Sequence, residues 1–192
     1  MKKLYNFKTN THQEYDYVLR YSKGKYKGEK YIIIEGLDNY NESGVITIPS
    51  EINGLPVRII ENHAFHDLSI RHVILPEGLE EIKDRAFANC TILEKINFPS
   101  TLKHIGVEAS VYCERLKSII LNEGLTNLSE GVFRSCLGLE NVSFPESLIK
   151  IDSEAFRYTK IKSIRFNSNL KEISESAFED CDSLENVEFN EG

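Results

Sequence analysis

No stretch of this 192-residue sequence approaches the ~18 consecutive apolar residues of a membrane-spanning helix, so the chain encodes no such helix. Tryptophan is absent and methionine occurs once, yet 10% of the residues are aromatic and 41% hydrophobic, enough apolar surface to offset chain entropy, which excludes disorder. There is no Cys-x-x-Cys pair, and zinc sites need ligands paired a few residues apart. No nucleophile elbow, phosphate loop, His-Glu-x-x-His or dinucleotide fingerprint occurs, so an enzyme is not expected, nor a metal or a cofactor. The basic start Met1–Lys8 is not followed by an apolar core before Gln13-Glu14-Tyr15-Asp16, so no secretory signal is read in this chain and the cytoplasm is the default compartment.

What is present divides in two. Residues 1–30 hold eight Lys/Arg (Lys2, Lys3, Lys8, Arg20, Lys23, Lys25, Lys27, Lys30) against three acids (Glu14, Asp16, Glu29), and seven of the nine tyrosines lie at or before Tyr40. The net charge of -7 therefore hides a part of +5 followed by one of -12. Tyr17-Val-Leu-Arg-Tyr21 and Tyr31-Ile-Ile-Ile34 are strand-like runs joined by a Lys/Gly turn, which predicts a β-hairpin. Residues 1–45 are expected to form a basic, Tyr-rich cap over residues 46–192, its lysines discouraging edge pairing. The alternative for Arg20–Tyr31 is an anionic polymer or surface, whose phosphates and bases suit alternating cations and rings, although the acidic body repels nucleic acid.

The acidic part repeats. Leu75, Leu79, Ile82, Ala86, Phe87, Cys90, Leu93 and Ile96 recur as Phe98, Leu102, Ile105, Ala109, Cys113, Leu116 and Ile119, and again in copies opening at Leu121, Phe144, Phe166 and Phe189. The spacings are 23, 23, 23, 22 and 23 residues. An irregular first copy spans Ile48 to Ile74 with Ala64-Phe65 in register. A period of this length with fixed Leu/Ile offsets predicts a solenoid, because one coil cannot bury its apolar edge alone and stacked coils can. Each coil supplies a strand in which Ile96 and Phe98 face in while Lys95 and Asn97 face out. Pro49, Pro76, Pro99 and Pro145 end the strands. Ser129, Asp152 and Ser174 are read as caps of short helical turns that drop Ala-Phe into the core. In one copy the Phe becomes Ser110, so Val111 or Tyr112 must fill the gap, or the core is thinner there.

These residues, Pro-x-x-Leu-x-x-Ile-x-x-x-Ala-Phe-x-x-Cys-x-x-Leu-x-x-Ile, resemble the BspA-like class of leucine-rich repeats over residues 45–192. The resemblance implies an α/β solenoid of about six right-handed coils, with a parallel sheet on the concave face and short helical, 3-10 or irregular segments behind. It also implies a bacterial surface protein working in adhesion, if the chain is a fragment of one.

Cys90, Cys113, Cys136 and Cys181 lie 23, 23 and 45 residues apart, the repeat period and nearly twice it, so each is expected in the same inward slot as a small buried hydrophobe. His63-Ala-Phe-His66 places two imidazoles on one turn but lacks a third metal ligand, and His12 and His104 stand alone. Asn39–Gly44 only echoes a calcium loop, since Ser50 stands where a bidentate Glu is required. Sequons at Asn41, Asn89, Asn127 and Asn141 include two, Asn89 and Asn141, where a glycan would disrupt the coil. Phe189-Asn-Glu-Gly192 repeats the opening at Leu121, so the last coil is expected to be open to a further coil or to end-to-end self-association.

The outward strand positions form two ladders: His72, Lys95, Ser118, Asn141, Ser163, Asn186, and Ile74, Asn97, Ile120, Ser143, Arg165, Glu188. This mixed face, with apolar spots at Ile74 and Ile120, suits a protein or glycan partner rather than phosphate. Six strands about 13 Å long and about 4.8 Å apart present roughly 400 Å², about half of what one partner buries in a standard interface, so a tight partner must also touch the flanking turns or the hairpin. The expected function is non-catalytic recognition by adhesion to a host, matrix or microbial surface; the other class is an intracellular scaffold.

Overall fold

The structure is a computed structural model that describes residues 3–8, 14–38 and 44–190. His12, the polar segment 39–43 with its sequon at Asn41, and the final two residues lie outside the described residues. Three antiparallel strands come first: β1 (Lys3–Lys8), β2 (Glu14–Tyr26) and β3 (Glu29–Asp38), in the order β1-β2-β3. β2 and β3 meet at Lys27-Gly28, both at positive φ (47° and 90°), a two-residue turn whose twist matches that of the flanking strands.

Beyond Gly44 each coil carries two short strands. The first ladder comprises β4 (Val45–Thr47), β7 (His72–Ile74), β9 (Lys95–Ile96), β11 (Ser118–Ile120), β13 (Asn141–Ser143), β15 (Ser163–Phe166) and β17 (Asn186–Phe189). Its pairs are parallel and in repeat register, as in Val45↔His72, His72↔Lys95, Ser118↔Asn141 and Arg165↔Glu188. A second ladder, not expected from the sequence, comprises β6 (Leu55–Ile60), β8 (Glu81–Ile82), β10 (His104–Ile105), β12 (Asn127–Leu128), β14 (Lys150–Ile151) and β16 (Glu172–Ile173). The antiparallel β5 (Glu51–Ile52) adds to β6 in the irregular first coil. The hairpin joins the second ladder, because β3 pairs in parallel with β6, Ile32 opposite Val57 and Ile34 opposite Ile60. It thereby covers the first coil with buried Tyr17, Leu19, Tyr21, Ile32 and Ile34. Tyr17 Oη donates to the Thr47 carbonyl at 3.1 Å and accepts from its amide at 2.9 Å.

The third wall corrects the helical-turn expectation: among the described residues there is no helix, and the solenoid is all-β with chained turns behind the strands. The hydrogen bonds explain why. Amides of residues 63, 65 and 67 donate to the next coil, at Asp84, Ala86 and Ala88, while those of Ala64 and His66 close turns within their own coil. Residues 85, 87 and 89 repeat this onto 107, 109 and 111. A helix aims every amide along its own axis, so alternating donors require alternating backbone conformations. The outer donors in these coils take positive φ, His63 and Asp67 near 60° and Arg85 and Asn89 at 53° and 59°. Ser129, Asp152 and Ser174 therefore cap no helix. Ser129 Oγ donates to the Ile105 carbonyl at 2.6 Å, Asp152 accepts from Asn127 Nδ2 at 2.8 Å, and Ser174 Oγ bonds Glu172 at 3.2 Å.

Core phenylalanines stack along the axis: Phe65 on Phe87 at 5.1 Å, Phe133 on Phe156 at 5.6 Å, Phe156 on Phe178 at 5.2 Å. Ser110 interrupts the stack. Val111, at the position that Arg134 and Arg157 take in later coils, is buried without joining the core, Tyr112 stays exposed, and Phe98 reaches Phe133 edge-on at 6.0 Å. The Ser110 hydroxyl is buried without a hydrogen-bond partner. Removing an unsatisfied buried hydroxyl relieves its desolvation penalty, so Ser110→Ala is expected to stabilise the chain by ~1 kcal/mol, measured as a higher urea midpoint at unchanged m-value. A lower midpoint would show that the hydroxyl is satisfied.

Outside the turn wall, Arg85, Glu108, Arg134, Glu154 and Arg157 form an alternating chain of ion pairs across successive coils. Asp180 continues it at 3.4 Å from Arg157. The last described coil is less covered than the others. Ile173, Val187 and Phe189 are 40%, 46% and 67% exposed, while the equivalent Ile151 is fully buried.

Candidate functional site

The first ladder projects alternate side chains outward, and the register sets them in rows. Six of the twelve candidate residues, His72, Ile74, Lys95, Asn97, Ser118 and Ile120, line one groove of about 580 Å³ over coils β4 to β11, together with Val45, Val73, Ile96, Phe98 and Asn122. Ser143 and Arg165 line a second depression of about 390 Å³ with Val142, Phe144, Glu146, Asn167 and Asn190. Asn141, Ser163, Asn186 and Glu188 are exposed on the same ladder and enter neither.

Within the groove the side chains differ in what they have left to offer. Ile74 and Ile120, 49% and 67% exposed, flank Asn97. The Asn97 amide is committed on both sides, Nδ2 donating to the Leu75 carbonyl at 2.9 Å and Oδ1 accepting from the Leu75 amide at 2.8 Å. Asn97 thus continues the ladder where backbone pairing stops, and the row Ile74–Asn97–Ile120 is largely apolar toward a partner. Lys95 is exposed and makes no ion pair among the described residues. His72 Nε2 lies 3.7 Å from Glu94, whose carboxyl is held below its usual range chiefly by Arg71 at 2.7 Å, against a desolvation that acts the other way. Asn122 was not singled out from the sequence. Its signal was legible, because Asn stands at 122 and 167 where other copies carry Pro, and both donate to a carbonyl of the preceding coil, Phe98 and Pro145 respectively.

The other candidates resolve individually. Cys90, Cys113 and Cys136 are free and fully buried, and Cys181 is free and partly buried. Each Sγ donates to a carbonyl of the preceding coil: Phe65, Phe87, Ser110 and Phe156, at 3.1, 3.3, 3.2 and 3.1 Å. Burial pushes the Cys90 and Cys136 thiols up to about 12. His63 and His66 have ring centroids 5.5 Å apart, and His66 Nδ1 lies 2.8 Å from Asp67. Among the described residues no group of three or more His, Cys, Asp or Glu is placed to hold a metal ion. On the hairpin, Lys25 stands directly opposite Lys30, and both are exposed.

Comparison with known proteins fits this geometry. A leucine-rich repeat protein of T. pallidum superposes with a TM-score of 0.81 at 30% identity, over 88% of this chain and 78% of that one. A leucine rich cell surface protein from Faecalibacterium prausnitzii gives 0.72 at 21% identity over 97% of this chain, which spans 54% of the length of that relative. A leucine-rich repeat protein from Eubacterium ventriosum gives 0.59 at 21% identity, covering 82% and 49%. The last two share the fold. No curated protein matches. Six copies of the BspA type leucine rich repeat match residues 45–160, more than half of the sequence, and the chain belongs to that family.

Proposed function

We propose that this chain is a non-catalytic recognition module that binds a protein or glycan through the first-ladder face, in adhesion to a host, matrix or microbial surface. Membership of a leucine-rich repeat family supports a protein-interaction role. The observation that carries the reading is the 580 Å³ groove, where two exposed isoleucines and an unpaired lysine converge on a hydrogen-bonded floor. Such a patch has the make-up of an interface centre, an apolar anchor site with a charge beside it. The strands alone are small for a tight interface, so a partner gains affinity by extending over the neighbouring turns.

The test uses arrays of immobilised matrix proteins and glycans probed with the full chain and with the double variant Lys95→Glu, Ile120→Glu. Both positions are exposed, so the fold is retained. Asn97 is left intact because its amide holds Leu75. Binding is expected to weaken about tenfold or more, a change of ~1.4 kcal/mol. A chain that binds nothing on either array, or a variant that binds as well as the parent, would remove the adhesive reading.

A further inference from the structure

A second cleft lies away from the first ladder, where the hairpin tip meets the outer face of the second ladder. It measures about 350 Å³ and is walled by Tyr26 and Tyr31, floored by Ile59 and rimmed by Glu29, Glu81 and the Arg58–Glu80 pair. The sequence builds it in three steps. The Lys27-Gly28 turn makes Tyr26 and Glu29 a directly opposed cross-strand pair. Tyr31 stands opposite Gly24, and a Cβ there would collide with the Tyr31 ring, so the glycine makes the room that the ring occupies. The parallel pairing of Ile59 with Glu81 then places the Glu81 carboxylate in the same lining as the two rings.

The charges of this lining are unbalanced. Three carboxylates face one guanidinium, and Arg58 is already committed to Glu80 and lies 3.8 Å from Glu29. Lys103 approaches Glu80 from outside at 2.9 Å. Glu81 has no ion pair within 4 Å among the described residues, although the ammonium of Lys83, itself paired with Glu61, is close enough to feel its charge, and the Glu29 side chain is 79% exposed. The Tyr26 ring is 67% exposed and already draws a cation, Lys27 Nζ, to 5.4 Å from its centroid. An aromatic face beside a carboxylate without a direct ion pair, Glu81, attracts a cation by both its quadrupole and that charge. The volume is at the low end for ligand pockets, room for one extended side chain rather than a folded element.

We infer that this cleft binds an arginine or lysine side chain of a basic segment in a partner polypeptide, with the cationic head against Tyr26 and Glu81. The site is separate from the first-ladder face and stands without it.

Fluorescence anisotropy of the full chain with labelled hexa-arginine tests this at low salt. Tyr26→Ala and Glu81→Gln are each expected to weaken binding about five- to tenfold, while Tyr26→Phe, which keeps the ring, retains it. Glu175→Gln removes the same charge far from the cleft and is expected to change binding less than about twofold. Equal losses from Glu81→Gln and Glu175→Gln would reduce the association to general attraction by a chain of net charge -7 and overturn the site. No hexa-arginine binding would do the same, and spermidine binding as tightly as the peptide would overturn its assignment to a polypeptide.

Discussion

Replacing Phe156 with alanine is expected to lower the free energy of unfolding by ~3–5 kcal/mol. Phe156 is fully buried and touches three other rings, stacked on Phe133 and Phe178 at 5.6 and 5.2 Å and edge-on to Phe144 at 5.7 Å. Truncation removes the transfer free energy of the ring, leaves a cavity that two hydrogen-bonded walls cannot collapse into, and deletes aromatic contacts worth ~0.5–1.5 kcal/mol each. A solenoid is held by nearest-neighbour interfaces, so the loss falls between the coils that meet at this ring. Urea unfolding followed by circular dichroism gives the total. Native-state hydrogen exchange is expected to show faster opening of residues 163–189 than of residues 45–98. Phe178→Ala is the internal comparison: that ring is only partly buried, and its truncation is expected to do less. A loss under ~1 kcal/mol for Phe156→Ala, or equal opening at both ends, would refute the stacked-ring account.

The second large effect is alkaline. Desolvation raises the Cys90 and Cys136 thiols from an ordinary 9.0 to about 12 and drives Cys113 well above 9.0 too, because a thiolate in these slots has lost its water. Below pH 9 the thiols are protonated in both folded and unfolded chains, and their contribution to stability is fully present. Between pH 9 and about 12 the unfolded chain releases protons that the folded chain retains, so stability falls by ~1.4 kcal/mol per pH unit per thiol, about 4 kcal/mol for each at pH 12. Domains are stable by only ~5–15 kcal/mol, so a loss of this order is a large fraction of the total. Urea midpoints measured from pH 7 to 11 are expected to fall steeply above pH 9, and less steeply in Cys90→Ala, Cys136→Ala. Parallel curves for parent and variant would exclude the thiols as the cause. Native alkylation at pH 8 supplies an independent check, with Cys181, partly buried where the other three are fully buried, expected to react first.

Both effects arise at positions that the repeat marked. Phe156 and the cysteines stood at fixed offsets, so their inward direction was legible without coordinates. The break at Ser110 was legible too, as a missing ring; that neither Val111 nor Tyr112 joins the core there was not, because the coil keeps the backbone of its neighbours, Tyr112 taking the positive φ of 59° that Asn89 and Ser135 also take. The rows of the first ladder followed from a two-residue alternation and a constant period. Their division into a groove at Ile74 and Ile120 and a smaller depression at Arg165 did not follow.

Chain periodicity by itself determined that this protein is a stack of coils with a basic hairpin before it, because apolar residues at a constant spacing have no other way to bury a continuous edge. Three matters were left to the tertiary structure. The turn wall is chained turns instead of helix, since its alternate amides find acceptors one coil away. A second ladder forms from pairs as short as Glu81-Ile82, too brief to show alternation and held only by partners about 23 residues distant. The cleft between Tyr26 and Glu81 joins segments more than fifty residues apart through the register of β3, β6 and β8. Each depends on which backbone groups meet across coils, a property of the stacked solid that one strand of sequence does not carry.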